Sequence, residues 1–458
     1  MTPPIRFPSR IRAARRQHAP PPAVGRLGNW AGTRSWTPAG VVTATDEGQV
    51  AEVLATAREN GRRVKPVGSL HSWSDVATTD GTALSLAGMA RVLSVDAEAR
   101  TVRVQAGIRL SELLSVLEMV GLTLPIRGSI VAQSLAGAVA TATHGSAPAI
   151  GHLGTLVRSM RLVTADGTVH ELTRDANDAA GRELFDAALV GVGMLGVVTE
   201  FTLGVVDDFV LEETTQVFSV ADAVRDFDQI RSSAPFVKLW WVPHTDRVIV
   251  FRYRPTDRPP DLSAVAGWVD EHLVNGYLLP GLLGLGRRVP KATPRVNRMI
   301  ARTYLAERRR VGRAADVLGL AMPPSHAESE WSVPVDRGAD ALQALVDLVD
   351  REEMLVGFIQ ELRFVAPDQA WLSPMHERRT CCVGLLTPHA SAAHPLHRQA
   401  ERLLTQMSGR PHWAKDFTVG ADYLADVYPR YRQFQELRDR LDPTRVLANT
   451  FTARVLGI

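Results

Sequence analysis

Residues 183–203 read ELFDAALVGVGMLGVVTEFTL. Within them Gly191, Gly193 and Gly196 match G-x-G-x-x-G, the spacing of a dinucleotide-binding turn. That turn works only where a strand enters it and a helix leaves it, because the helix N-terminus carries the phosphates. Here the order is reversed. ELFDAALV is patterned as a helix and VVTEFTL alternates as a strand. A doubly wound nucleotide fold is therefore set aside, and tight helix-to-strand packing accounts for the glycines.

Working outward, Val41–Thr45 is strand-like. Residues 46–60 place Val50, Val53, Leu54 and Ala57 on one helical face. Gly61 stops that helix and Val64–Val67 forms the next strand. Residues 91–106 read as two strands around a turn, and 109–120 as an amphipathic helix. Residues 159–174 form a hairpin turning on Asp166-Gly167. From about Val205 the character changes to longer helices and aromatic strands such as Lys238–Trp241. Residues 421–442 form an amphipathic helix, and a short strand-like piece closes the chain.

Four clusters could carry chemistry. In Pro66–Ser74 (PVGSLHSWS) a strand runs into a loop, where Gly68 and Ser69 let a backbone approach a ligand and His71 follows at once. A histidine there is also a common structural residue. Ser134–Ser146 (SLAGAVATATHGS) offers backbone N–H groups and hydroxyls with little bulk, suited to a pyrophosphate or simply to close packing. In Gly357–Phe364 (GFIQELRF), Glu361 and Arg363 share one strand face, as a polar grip or as a plain ion pair. In Arg410–Lys415 (RPHWAK), a lysine stands near a tryptophan.

The chain has 458 residues, 45% of them apolar and 22% charged, with a net charge of +3. These values fit a folded protein of two or three domains and argue against a nucleic-acid binder. Four of the 52 basic residues are lysines (65, 238, 291 and 415) and the rest arginines. A site that keeps lysine in so arginine-rich a chain needs a compact primary amine. Cys381 and Cys382 are adjacent and cannot staple a loop, and no metal-site spacing is present. This pattern fits a reducing cytoplasm. Residues 1–28 read as a disordered basic tail without the apolar run of a signal peptide. Residues 128–157 lack charge but are too polar to span a membrane. Residues 273–286 are too short to span and read as a buried helix, with peripheral membrane contact as the lesser alternative.

Taken together, VGSLHSWSD (67–75), SLAGAVATATHGS (134–146), LGVVTEFTL (195–203), WWVPHT (240–245), ELRF (361–364), RPHWAK (410–415) and LDPTRVLAN…RVLG (441–457) have a specific order and spacing. The chain resembles the aldonolactone oxidases of the vanillyl-alcohol-oxidase-type flavoproteins, with alditol oxidases as near relatives. The likeness runs from about Asn29 to Gly457. It implies an α+β fold: a two-piece PCMH-type FAD-binding domain (29–208, with 421–458 returning to it) and a cap domain (209–420). The cap would be an antiparallel sheet flanked by helices. The resemblance further implies FAD linked through His71. Val67, Gly68, Ser69, Leu70, Ser72, Ser134, Gly137, Ala142, Thr143, His144, Gly145 and Val198 would lie along the cofactor. Glu361, Arg363 and Lys415 would line the substrate face. The implied reaction oxidises a CH–OH carbon of a sugar 1,4-lactone or polyol by hydride transfer to FAD, with oxygen or another carrier as acceptor. The chain departs from the family pattern at Leu70, where glycine is usual, at IRGSIVAQ (126–133), and at HWAK, where HWGK is usual.

Overall fold

The computed structural model describes residues 25–261, 279–303, 307–319, 324–388 and 394–457. The first layer is a parallel sheet in which Thr82–Ser85 lies between Gly40–Thr43 and Val64–Val67. Helix Glu47–Glu59 connects the outer two strands. It starts where the Asp46 carboxylate accepts from Gln49 N–H, ends before Gly61 in the left-handed region, and buries Val50, Leu54 and Ala57.

The second layer is antiparallel: Val169–Thr173, Val157–Val163, Val197–Gly204, Thr101–Gln105 and Val92–Asp96, in that spatial order. Helix Ala179–Leu189 precedes Val197–Gly204, the helix-then-strand order read from residues 183–203.

A third, eight-stranded antiparallel sheet follows. Its order is Arg309–Arg313, Val210–Phe218, Val248–Pro255, Phe236–Trp241, Gln360–Val365, Thr380–Pro388, His326–Pro334 and Arg410–Pro411. One face carries Leu239, Leu362, Val383 and Trp331 into the main core with Ala341, Leu345 and Leu404. Strand alternation turns the intervening residues to the opposite face, which carries the polar groups described below.

The chain's end packs back on the first layer. Val64 N–H donates to Val446 O at 2.8 Å, and the Asn449 amide donates to the carbonyls of Asp75, Val76 and Thr78.

Four expectations need correction. The tail does not reach residue 28: Leu27–Gly28 pairs with Ser35–Trp36 and Leu27 is buried, whereas 1–24 lie outside the described residues. Residues 421–442 form two helices, Ala421–Val427 and Tyr431–Leu441, because Pro429 has no N–H to continue the first. The closing piece is a helix, Thr450–Leu456, started by a reciprocal capping box between Asn449 and Thr452. Of the stretch 273–286, residues 273–278 lie outside the described residues. The helix that begins at Leu279 is only partly buried, with Leu283 covered and Leu285 exposed.

Candidate active site

Two cavities lie between the layers. The larger, about 750 Å³, is walled by the loop 67–72, by Gln133, Ser134, Gly137 and Thr141, and by the whole run Gly191–Val198. The smaller, about 240 Å³, sits over the polar face of the eight-stranded sheet. His71, Gln133 and Ala414 line both, so the two meet there.

The walls of the larger cavity are mostly backbone and small side chains. A Cβ on Gly68 would come within 2.2 Å of Ser134 Oγ, so the loop and the small-residue helix Leu135–Ala140 touch across this glycine. Leu70 holds a left-handed φ of 57° and packs with Leu27, Val67 and Ala83. Its carbonyl accepts from Trp30 N–H at 2.8 Å, and the Trp30 ring stacks on His71 with centroids 5.8 Å apart. The bulk at this position is thus packed into a small apolar cluster. Lys65, also in this wall, is buried and donates to Val192 O at 3.1 Å.

The smaller cavity has a charged floor set by strand register. Trp240 pairs with Glu361, Glu361 with Gly384, and Gly384 with Glu330, which makes one row across four strands. The neighbouring row on the same face runs Lys238, Arg363, Cys382 and Ser332. Arg363 Nε donates to Glu361 Oε2 at 2.7 Å, and Trp240 Nε1 donates to Glu361 Oε1 at 2.9 Å. Lys238 Nζ lies 3.8 Å from the same carboxylate and 4.7 Å from the Trp240 ring centre. Burial works against charge on Glu361, but Arg363 and Lys238 hold its carboxyl below the usual range. Lys415 pairs with the buried Glu328 and lies 4.1 Å from the Trp73 ring centre.

His144 Nε2 meets Glu330 Oε1 at 2.7 Å, and Nδ1 meets Gly145 O at 2.8 Å. Burial alone would lower the His144 pKa. Cys382 and Glu330 outweigh burial and raise it to about 10, which makes the ring an imidazolium. His412 is the opposite case: burial pushes it down to about 3, and its neutral Nδ1 accepts from Ala414 N–H at 3.1 Å.

The expected site residues are therefore divided between two places. Val67, Gly68, Ser69, Leu70, His71, Ser72, Ser134, Gly137 and Val198 line the larger cavity. Glu361, Arg363 and Lys415 line the smaller one, and so do Thr143 and His144, on the sheet side rather than along the larger cavity. Ala142 and Gly145 line neither. Ala142 is a fully buried left-handed turn residue, and a Cβ on Gly145 would meet Arg127 O at 2.6 Å. The glycines of 191–196 do more than pack. Gly196 lies close against Val163 O, yet the whole run faces the larger cavity. Sequence reading missed Trp30, Trp73, Lys65, Lys238, Glu328, Glu330 and His412. The alternation of HAESEW, with two carboxylates on one strand face, was the available signal for Glu328 and Glu330.

A cavity walled mostly by backbone and small side chains, with one buried ammonium, suits a dinucleotide that carries a pyrophosphate. The residues present therefore fit FAD, and the fold and site define a flavin-dependent oxidoreductase of the PCMH type. Residues 201–455 match the family described as D-arabinono-1,4-lactone oxidase, and residues 38–173 match the FAD binding domain. The chain is 34% identical over 432 residues to an L-gulono-1,4-lactone dehydrogenase of Mycobacterium tuberculosis, covering 94% of this chain and 98% of that one. It is 32% identical over 440 residues to an alditol oxidase of a Streptomyces species, covering 93% and 98%. A solved structure of a solvent-stable cholesterol oxidase superimposes with a TM-score of 0.79 at 19% identity, over 95% of this chain and 98% of the other, which shows the fold alone. The chain belongs to the D-arabinono-1,4-lactone oxidase family.

Proposed function

We propose that this chain oxidises a CH–OH carbon of a sugar 1,4-lactone, using FAD held in the larger cavity and tethered through His71. Bound FAD supplies the hydride acceptor. The observation that carries the reading is the meeting of the two cavities at His71, with Glu361, Arg363 and Lys415 around the smaller one. Glu361 accepts hydrogen bonds from substrate hydroxyls, its geometry fixed by Arg363 and Trp240. Arg363 places positive charge where negative charge develops. Lys415, paired with Glu328, lies beside the reacting hydroxyl and assists loss of its proton to a nearby base or water as the hydride leaves. Trp30, Trp73, Trp240 and Phe358 supply flat apolar faces for the sugar's C–H edges and exclude water.

The reading extends to residence in a reducing compartment, supported by the two unlinked, buried cysteines. Among the described residues no helix is long and apolar enough to cross a membrane.

A second reading, oxidation of an open-chain alditol, is favoured by the likeness to the alditol oxidase. Steady-state turnover on paired lactones and alditols separates the two, with hydrogen peroxide and dye reduction followed in parallel. Higher kcat/KM on lactones supports the first reading, and turnover on alditols alone overturns it. The ratio of peroxide to reduced dye identifies the acceptor class.

A further inference from the structure

Lys65 is one of four lysines in a chain with 48 arginines, and it is the most deeply placed cation in the wall of the larger cavity. Arg26 in that wall is exposed and Arg109 is half-buried. The Lys65 ammonium donates to Val192 O at 3.1 Å and Leu447 O at 3.5 Å, with Met194 Sδ at 3.9 Å. Among the described residues it has no ion-pair partner. The carboxylate acting on it is Asp442, whose oxygens already accept from the N–H groups of Val446 and Leu447 at 2.9 Å each. A position for Cβ on Gly193, itself part of the cavity wall, lies 3.8 Å from Nζ.

A buried charge that lacks a full counter-charge is costly unless something completes its environment. Three acceptors do this only in part, since two are carbonyls and one a thioether. A dinucleotide in the cavity brings a dianionic pyrophosphate into the same low-dielectric space, where charges act over longer range than in water. Arginine in this position would need room for a planar fork with five donors, whereas an ammonium needs only a compact cup of carbonyls.

We propose that Lys65 is a cofactor-binding residue, its buried ammonium being the cation that the Gly191–Gly196 wall presents to the pyrophosphate of the bound dinucleotide. The inference rests on the FAD reading above.

It has a signature that a structural brace lacks. Burial lowers the Lys65 pKa to about 7, with Asp442 opposing the shift. Binding of a dianion raises it again, so binding and protonation help each other. Affinity is therefore constant below about pH 7. Above that it falls about tenfold per pH unit, until the pH reaches the raised value of the complex. A brace through neutral or charged nitrogen would leave affinity flat.

The test uses the full chain carrying His71→Ala, so that the cofactor exchanges freely. FAD, ADP and riboflavin are titrated between about pH 6 and about pH 9. FAD, whose diester pyrophosphate keeps its charge over this range, should show the falling limb and riboflavin should not; ADP should show it above about pH 8, once its terminal phosphate is fully ionised. Lys65→Gln should weaken FAD and ADP and abolish the limb. A flat FAD profile in the Lys65 protein, or a limb that persists in Lys65→Gln, overturns the proposal. If Lys65→Gln does not fold, the Lys65 protein's own FAD, ADP and riboflavin profiles decide. Failure to bind FAD at any pH would instead overturn the FAD reading itself.

Discussion

The two cavities are built by opposite means. The larger one is mostly backbone and small side chains, with a single buried ammonium in its wall. The smaller one is floored by Glu328, Glu330, Glu361, Arg363, Lys415 and an imidazolium at His144, gathered from two strands and two loops. The contrast matches the two tasks. A cofactor that stays bound needs shape and many weak contacts. A reacting hydroxyl needs fixed charges in a dry site. In the larger cavity an added atom should do the damage; in the smaller one a lost charge should.

The largest effect is expected from Arg363→Ala. It leaves Glu361 buried with only Trp240 and Lys238, and removes the donor best placed for developing charge. Turnover should fall roughly 100- to 1,000-fold. Stability should fall by about 3 kcal/mol, because the buried carboxylate keeps only the Trp240 hydrogen bond and the more distant Lys238. Stopped-flow reduction and chemical denaturation measure the two. A loss below tenfold in rate would mean that the charged floor is not the reacting face.

The asymmetry also governs what the sequence reveals. The larger cavity is built from contiguous runs, 67–72 and 134–141, so its chemistry is readable from spacing. The charged floor is not. Glu330 meets His144 across 186 residues, and Glu328 meets Lys415 across 87. Those meetings depend on strand order, which no local pattern contains. Glu361 and Arg363 were readable only because strand alternation puts i and i+2 on one face. The run 191–196 was readable as turn glycines but not as cavity wall, since the reversed helix–strand order that removes a Rossmann turn does not say what the turn faces. The closing helix was missed although Asn449 and Thr452 spell its cap, because the apolar spacing alone suits a strand.

Gly68→Ala sharpens the comparison from the other side. Its Cβ would overlap Ser134 Oγ, so that hydroxyl must turn away or the loop must shift. Cofactor content, read as the ratio of flavin to protein absorbance, should drop several-fold while the melting temperature of the flavin-free protein changes little. Full occupancy would show that the slot tolerates added bulk.

Glu330→Gln isolates the His144 pair. Because His144 is raised to about 10 in the folded chain, the pair's stabilisation is complete below the ordinary histidine value of 6.5 and is lost as pH rises through about 10. Removing the carboxylate should cost about 1–3 kcal/mol near neutral pH and lessen the fall in stability across that window, the part due to Cys382 remaining. Denaturation midpoints across the alkaline range read this directly, and an unchanged slope would assign the titration to another group.

Lys415→Arg keeps the charge paired with Glu328 but replaces a compact ammonium with a planar fork. A rate loss of about tenfold is expected with little change in stability; full activity would end any special role for lysine there. Leu70→Gly is the smallest case. It relieves a left-handed leucine, worth about 1–2 kcal/mol, and loses a half-buried side chain of comparable worth. The net change should stay within about 1 kcal/mol.

The most direct test is anaerobic mixing of the purified flavin-loaded protein with L-gulono-1,4-lactone while its flavin absorbance is followed. Rapid bleaching is expected in the unmodified chain, and bleaching slowed at least about a hundred-fold in Arg363→Ala, roughly the loss of one preorganised donor. Flavin that stays oxidised in the unmodified chain with every lactone and alditol offered would contradict the proposed function.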